Sequence, residues 1–346
     1  MGHSEEAEVG KIRTVIVGCG AIAQVHAKVL SRLRDCQLTA FADCKVERAQ
    51  AMAKLYGGKA YVSLEEMMEN EKIDVIHICT PHYLHTPMAI LALQNHIHVF
   101  MEKPPVISKD QLQQLAAIES ERQLGICFQN RYNPSVIKAR EILASGEAGK
   151  ILGARGIVTW HRDKEYYQKS DWRGVLALEG GGALINQSIH TLDLLQYIIG
   201  RPPCSIHAVT TNHHLQGLIE VEDTMSAWIQ YEDLTANFYV TTSYLADPPP
   251  LIEFVCERMT IRIEELELSC YYPDGTVARH EASGKQGLGK SYWGTGHEDC
   301  IRAFYDSISQ EKQCPLNLAG VWDTIQLMLG AYESSRTGKI VSLRLL

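Results

Sequence analysis

Long apolar runs are missing from this sequence: no uninterrupted stretch approaches the ~18 apolar residues that a membrane span requires. The first ten residues, Met1 to Gly10, are polar and acidic, and the first apolar run, Val15 to Val17, is too short for the core of a secretion signal. Glu6 stands where a myristoylation signal following Gly2 needs Ser or Thr. A soluble, cytoplasmic protein is the expectation. Basic charge is not in surplus either. With 33 Lys and Arg against 41 Asp and Glu, the net charge of −8 gives no electrostatic reason to bind nucleic acid or an anionic membrane. Ten cysteines and fourteen histidines include no C-x-x-C pair, no H-E-x-x-H and no cluster with zinc spacing, so no metal is expected. Cys79 in VIHICTP and Cys127 in GICFQN lie inside apolar runs and read as reduced, buried small hydrophobes. Repeats and low-complexity tracts are absent as well.

A chain of 346 residues is long for a single core and suits two domains. Up to about residue 130, short apolar runs alternate with helical patterns, as in a parallel sheet covered on both faces. RTVIVG, LTAFAD, DVIHICTP, HVFMEKP and GICFQN read as strands; AIAQVHAKVLSRL, KVERAQAMAKLYG and HTPMAILALQNH read as the helices between them. This predicts a doubly wound Rossmann domain over residues 1–130. From 131 to 346 the pattern is α+β. ILGARGIVTWHR, SIHAVTTN, TMSAWIQY, TANFYVTTSY, LIEFVCE and TIRIEELELSCYY read as strands of a large, open, mostly antiparallel sheet. Helices in GGALINQSIHTLDLLQYIIG, EDCIRAFYDSI and VWDTIQLMLGAYESS would cover its apolar face, the C-terminal helices able to pack back on the first domain. The other face, with aromatic and β-branched residues among polar ones, suits a partner subunit.

Three constellations carry chemistry. Gly18-Cys19-Gly20-Ala21-Ile22-Ala23 forms G-x-G-x-x-A between a strand and a helix. The first glycine allows the tight turn, the second lets backbone approach a pyrophosphate, and Ala23 lets the helix pack close to the sheet. The amides and dipole of the helix N-terminus favour phosphate. Asp43 ends the next strand, about 20 residues on, where a carboxylate bonds the adenosine ribose and repels a 2′-phosphate. Cys44 stands where an Arg would serve NADP, so NAD is expected over NADP; Lys45 and Arg48 leave dual use open. Glu102-Lys103-Pro104 follows a strand at the sheet edge where ligands bind, which favours a functional Lys103 over a solvated surface charge. Gly180 to Gly182 then precede a helix with Asn186 and His190 four apart on one face. Two readings stand for His190: a core histidine bonded to Asn186 or Asp193, or a reactive group.

Taken together, G-C-G-A-I-A, CTPHYLH, EKPP, GGGALINQSIHTLDLL and AYESSRTGK resemble the glucose–fructose oxidoreductase and inositol dehydrogenase family, Gfo/Idh/MocA. The resemblance runs from about Lys11 to the C-terminus. It implies hydride transfer between NAD and a secondary hydroxyl of a sugar or polyol, in a homodimer or homotetramer joined through the open sheet. It makes Lys103 and His190 the catalytic pair, with Asn186 counted beside them in the catalytic group. Thr80, Pro81, His82 and His85, with Glu102, Gln129, Trp172 and Arg173, would face the cofactor. Arg131, Arg162, Tyr166, Tyr167, Asn186 and His297 would face the substrate, from WHRDKEYYQKSDWRG in part. A surface loop with snorkelling aromatics is the other reading of that segment, and a helix-terminal cap that of His297. Many relatives have Asn at 82 and Asp at 186, so a mechanism that needs a carboxylate at 186 does not transfer.

The expected reaction is oxidation of a ring C–H(OH) carbon to a ketone, with a general base at hydrogen-bond distance. His190 is the natural base near neutrality and Lys103 the electrostatic stabiliser of the alkoxide, with either able to take the proton. A redox-neutral glycosidase or lyase that uses NAD transiently is the alternative, as is an inositol-type polyol dehydrogenase. A non-catalytic dinucleotide sensor would not need the Lys/His pair.

Overall fold

The computed structural model, which describes residues 11–280, 288 and 294–343, contains two sheets. The first half of the chain runs β1 (Ile12–Val17), α1 (Ala21–Leu30), β2 (Cys36–Ala42), α2 (Val46–Tyr56), β3 (Lys59–Tyr61), α3 (Leu64–Asn70), β4 (Val75–Ile78), α4 (His82–Gln94), β5 (His98–Met101), α5 (Lys109–Ala116) and β6 (Leu124–Ile126). All six strands are parallel, in the order β3-β2-β1-β4-β5-β6. Helices on both faces bury β4 completely and most of β1 and β5, which is why their sequences are apolar throughout rather than alternating. The order reverses beside β1, so the ends of β1 and β4 open the crevice in which such sheets bind ligands.

The second half runs α6 (Pro134–Ala144), β7 (Ile151–Thr159), α7 (Lys164–Gln168), α8 (Leu176–Glu179), a π-helix (Ala183–Ser188), α9 (Ile189–Ile199), β8 (Ser205–Thr211), β9 (Thr224–Gln230), β10 (Thr235–Thr241), β11 (Leu251–Cys256), β12 (Thr260–Glu264), β13 (Glu267–Tyr271), β14 (Val277–His280), α10 (His297–Ser309), α11 (Trp322–Thr337) and β15 (Val341–Ser342). The nine strands lie in the order β14-β13-β12-β11-β7-β10-β9-β8-β15, and only β7 and β10 pair in parallel. On β8, β9 and β10 the pattern alternates: Ile206, Ala208, Met225, Ile229, Ala236 and Phe238 face α9 and α11, while Val209, Trp228 and Tyr239 stay exposed on the far side.

Two expectations change. TIRIEELELSCYY is not one strand but the hairpin β12–β13, closed by Glu265 at φ 56°, a left-handed turn made without the glycine or asparagine that would announce it. GGALINQSIHTLDLLQYIIG is not one α-helix. Its first turn is a π-helix, and the α-helical ladder begins only at Ile189, so Asn186 and His190 belong to different helical geometries.

The last third of the chain returns to the first sheet. Phe304 of α10 packs on Phe100 of β5, with ring centroids 5.2 Å apart, and its ring occupies the space that a side chain at Gly125 would fill. Ile126 of β6 donates its backbone N–H to the Leu316 carbonyl. Among the described residues, no helix is long and apolar enough to cross a membrane.

Candidate active site

The glycine turn follows from the packing of β1 on β4. Gly18 has φ +83°, and a Cβ there would lie 2.6 Å from the Cys79 backbone, so only glycine fits. Gly20 is the N-cap of α1 with no side-chain cap, and a Cβ on it would meet nothing within 4 Å. The uncapped amides of Ala21 and Ile22 therefore border open space at the positive end of a helix, which fits the pyrophosphate of a dinucleotide. Asp43, just past β2, is oriented by two backbone donors: Cys19 N–H to Oδ2 and Lys45 N–H to Oδ1, both at 2.8 Å. A carboxylate acceptor is thus fixed at the edge of the cradle, which suits ribose hydroxyls.

Lys103 leaves the end of β5 through a cis peptide to Pro104 and donates to the Asn186 backbone carbonyl at 3.0 Å. Burial lowers its pKa, with Glu102 opposing. Behind it Glu102 accepts from His26 Nε2 at 3.0 Å. Burial works against both charges, yet the hydrogen bonds that His26 makes with Cys127 and Glu102 raise it to about 9, and His26 holds Glu102 well below the usual carboxylate range. His26 Nδ1 then donates to His77 Nδ1 (2.9 Å), His77 Nε2 to Tyr305 (3.1 Å), Tyr305 to Thr14 (2.8 Å) and Thr14 to the Ile12 carbonyl (3.4 Å). His26, Glu102 and Cys127 bring their ligand-type atoms within 4.8 Å of one another. Both ring nitrogens of His26 are already engaged, so the group is an ion pair in a hydrogen-bond chain.

In front of Lys103 the situation differs. His190 on α9 packs its ring edge on Phe128, with centroids 5.7 Å apart, and its buried Nδ1 has no protein partner. Neither Asn186 nor Asp193 satisfies it. Burial, then the charge of Lys103, pushes its imidazole well below its usual pKa and keeps it neutral. The Oγ1 of Thr80 and the Nε of Arg173 are likewise buried without a partner. Buried polar atoms are rarely left so, and a group of them on one edge points to a missing ligand. Pro81 is the N-cap of α4, whose first residue, His82, donates from Nδ1 to the Glu179 carbonyl at 2.9 Å and packs at a tilt against Trp172, with ring centroids 4.7 Å apart. Arg173 lies against Tyr166 and Trp172, 4.8 and 5.2 Å from their ring centres. His297 opens α10, buried, its pKa pushed down to about 4 by burial, and it acts electrostatically on Glu102 and His190.

Several expected contacts are occupied by the protein instead. Arg131 is buried and grips Asp193 with two nitrogens (2.8 and 2.5 Å) and the Gly320 carbonyl with the third, so its guanidinium is held by the protein's own acceptors. Arg162 is held by Asp247 and Gln187. Tyr167 is packed into a small cluster with Leu215, Ile219 and Val221. His85 sits between the carbonyls of Pro104 and Thr80 and ties their two loops together. Gln129 is buried and meets Cys127. Asn186 makes no hydrogen bond to His190; its side-chain amide donates to Glu179 at 2.5 Å. Glu179, Gln187 and Glu222 were not anticipated at all. For Glu179 the available signal was an ionisable residue at the mouth of the apolar, glycine-rich run LALEGGGALI.

Both halves of the chain resemble known proteins. Residues 12–129 match the oxidoreductase family with an NAD-binding Rossmann fold, and residues 136–262 match the GFO/IDH/MocA C-terminal domain. D-glucoside 3-dehydrogenase of Escherichia coli (strain K12) is 32% identical over 200 residues, which is 55% of this chain and 55% of the relative. Inositol 2-dehydrogenase of Rubrobacter xylanophilus is 29% identical over 206 residues, 57% of this chain and 54% of the relative. The chain thus aligns with about half the length of the curated relatives it matches. The solved WlbA dehydrogenase of Bordetella pertussis, in complex with NADH and UDP-GlcNAcA, superposes with a TM-score of 0.83 at 25% identity, covering 96% of this chain and 98% of that one.

Proposed function

The chain belongs to the Gfo/Idh/MocA oxidoreductase family, and from that premise we propose that it oxidises a secondary ring hydroxyl of a sugar or glycoside to a ketone, with NAD as the hydride acceptor. The observation that carries this reading is the group of unpartnered polar atoms, Thr80 Oγ1, Arg173 Nε and His190 Nδ1, around an ammonium at the ligand-binding edge. Relatives named as glucoside and inositol dehydrogenases support the substrate class. NAD, when bound, supplies the carbon that receives the hydride.

The protein's own part is to place and deprotonate the alcohol. The neutral His190 takes the hydroxyl proton, since its buried Nδ1 carries no partner from the protein and is free to meet the substrate hydroxyl. Lys103, held by the Asn186 carbonyl, stabilises the negative charge that develops on the oxygen. Trp172, Tyr166 and Arg173 offer aromatic faces and a guanidinium to sugar C–H faces and hydroxyls. Asp43 favours NAD over NADP, because a 2′-phosphate would meet a carboxylate already oriented by two amides. Two copies would join through the open face of the nine-stranded sheet, where Val209, Trp228 and Tyr239 are exposed. Ten free cysteines suit a reducing, cytoplasmic setting.

The test is purified protein with NAD and a panel of hexoses, glycosides and inositols, followed by NADH absorbance. Accumulation of NADH with a hexose or glycoside is expected. Release of an aglycone with no net NADH would replace the dehydrogenase with a redox-neutral glycosidase. Turnover of inositols alone would move the substrate class to cyclic polyols.

A further inference from the structure

Position 186 carries an amide, and the nearest carboxylate belongs to a residue seven positions earlier. Glu179 closes α8 with its side chain almost completely buried. Its Oε2 accepts from the Gly174 N–H and its Oε1 from Asn186 Nδ2, both at 2.5 Å. An ionised carboxylate can only accept, so it dictates which end of the amide faces it: Nδ2 inward, Oδ1 outward. That Oδ1 accepts nothing from the described residues, while the backbone carbonyl of the same Asn186 holds Lys103. The acceptor left over lies on the residue that anchors the ammonium.

We propose that Glu179 is the ionisable carboxylate of this site and that its charge sets the orientation of the Asn186 amide. Ionised, Glu179 keeps Oδ1 turned out as an acceptor for a substrate hydroxyl. Protonated, it donates through Oε1, the amide turns over, and Nδ2 faces outward instead. The part of this inference that concerns substrate rests on the dehydrogenase reading above; the part that concerns the Glu179–Asn186 pair does not.

The surroundings favour both states near neutrality. Burial raises the Glu179 carboxyl to about 7, against the bonds from Gly174 and Asn186. The charged and titratable groups facing it are Glu222, which raises it further, Arg173, which lowers it, and Lys103, Tyr167 and Tyr332; His82 donates to its backbone carbonyl. A carboxylate at 186 would stand opposite Glu179 at hydrogen-bond distance, and two such groups share one proton. The amide at 186 is therefore what lets Glu179 ionise in this range.

The experiment is infrared difference spectroscopy of the full chain without ligand between pH 5.5 and 8.5, with selective 15N-Asn labelling read in parallel. A buried carboxylic acid band is expected to grow as pH falls through about 7. It should be absent in Glu179→Gln, and its midpoint should move up by more than one pH unit in Asn186→Asp. The side-chain amide protons of Asn186 should shift with the wild-type midpoint. A band that survives Glu179→Gln, a midpoint unmoved by Asn186→Asp, or amide protons indifferent to pH would each overturn the proposal, whether or not any sugar is turned over. With a turned-over substrate in hand, KM should rise about tenfold from pH 8 to pH 6 as the competent fraction falls, while kcat at saturation holds. A flat KM beside a titrating band would remove Asn186 from substrate recognition.

Discussion

Two histidine clusters flank Lys103, and they are built on opposite terms. The rear cluster, His26 with Glu102, His77 and Tyr305, is closed: every ring nitrogen has a partner, and the donors run in one direction to the Ile12 carbonyl. The front cluster, His190 with Thr80 and Arg173, is open, each residue keeping a buried polar atom that the protein does not satisfy. By composition the rear cluster looks the more reactive, since it holds a histidine, a glutamate and a cysteine within metal-ligand distance of one another. Its saturation suits a structural device, and the incomplete front cluster is where the proposed reading puts the ligand.

That contrast is sharpest in the reaction. Lys103→Ala and His190→Ala should each reduce kcat by about 10³-fold, within the range for general acid–base and electrostatic groups, with NAD binding by fluorescence titration nearly unchanged. Near-normal turnover in either variant would erase the distinction between front and rear.

The rear cluster should break as structure. His26→Leu leaves Glu102 buried with its principal partner gone, and stability by urea unfolding should drop by about 3–5 kcal/mol. The pH dependence has a definite sign. The folded ring keeps its proton to about 9, above the unfolded value of 6.5, so its contribution is complete below pH 6.5 and is lost as pH rises through about 9. This amounts to about 3 kcal/mol across that window, and the decline should be missing in the Leu variant.

The smallest effect separates two arginines that the sequence presents alike. Arg173→Met should leave Tm within a few degrees of wild type and raise KM about tenfold, because it removes a donor with a free edge at the site. Arg131→Met should lower Tm strongly by stranding Asp193, with KM of the folded fraction intact. The reverse outcome would put Arg131 at the substrate.

What could be read from the sequence was what is local. The glycine turn, Asp43 and the Glu102-Lys103 pair each follow from a few consecutive residues at a strand end, and their backbone geometry leaves little choice. His190 was readable as an isolated polar residue in an apolar helix. The left-handed Glu265 was hidden because no glycine, proline or asparagine marks it, and the π-helical turn because the glycines before it announce a helix start but not which ladder follows. Contacts across long separations were hidden more completely: Arg131 with Asp193 across 62 residues, or Thr14 with Tyr305 across 291. Nothing near either residue distinguishes a structural arginine from a ligand-binding one. Only the folded chain shows which donors are already used.

The chain of hydrogen bonds behind Glu102 has a consequence for any attempt to divide the molecule. Its third ring comes from α10, 228 residues beyond His77, and Phe304 beside it fills the hollow left by Gly125. A fragment ending near residue 130 would keep all six parallel strands and lose Tyr305, the link between His77 and Thr14. The proton on His77 Nε2 would then have to find water in a core with its lid removed. The dinucleotide-binding half is therefore contiguous in its strands but not in its chemistry, and a faithful dissection would have to graft α10 onto it.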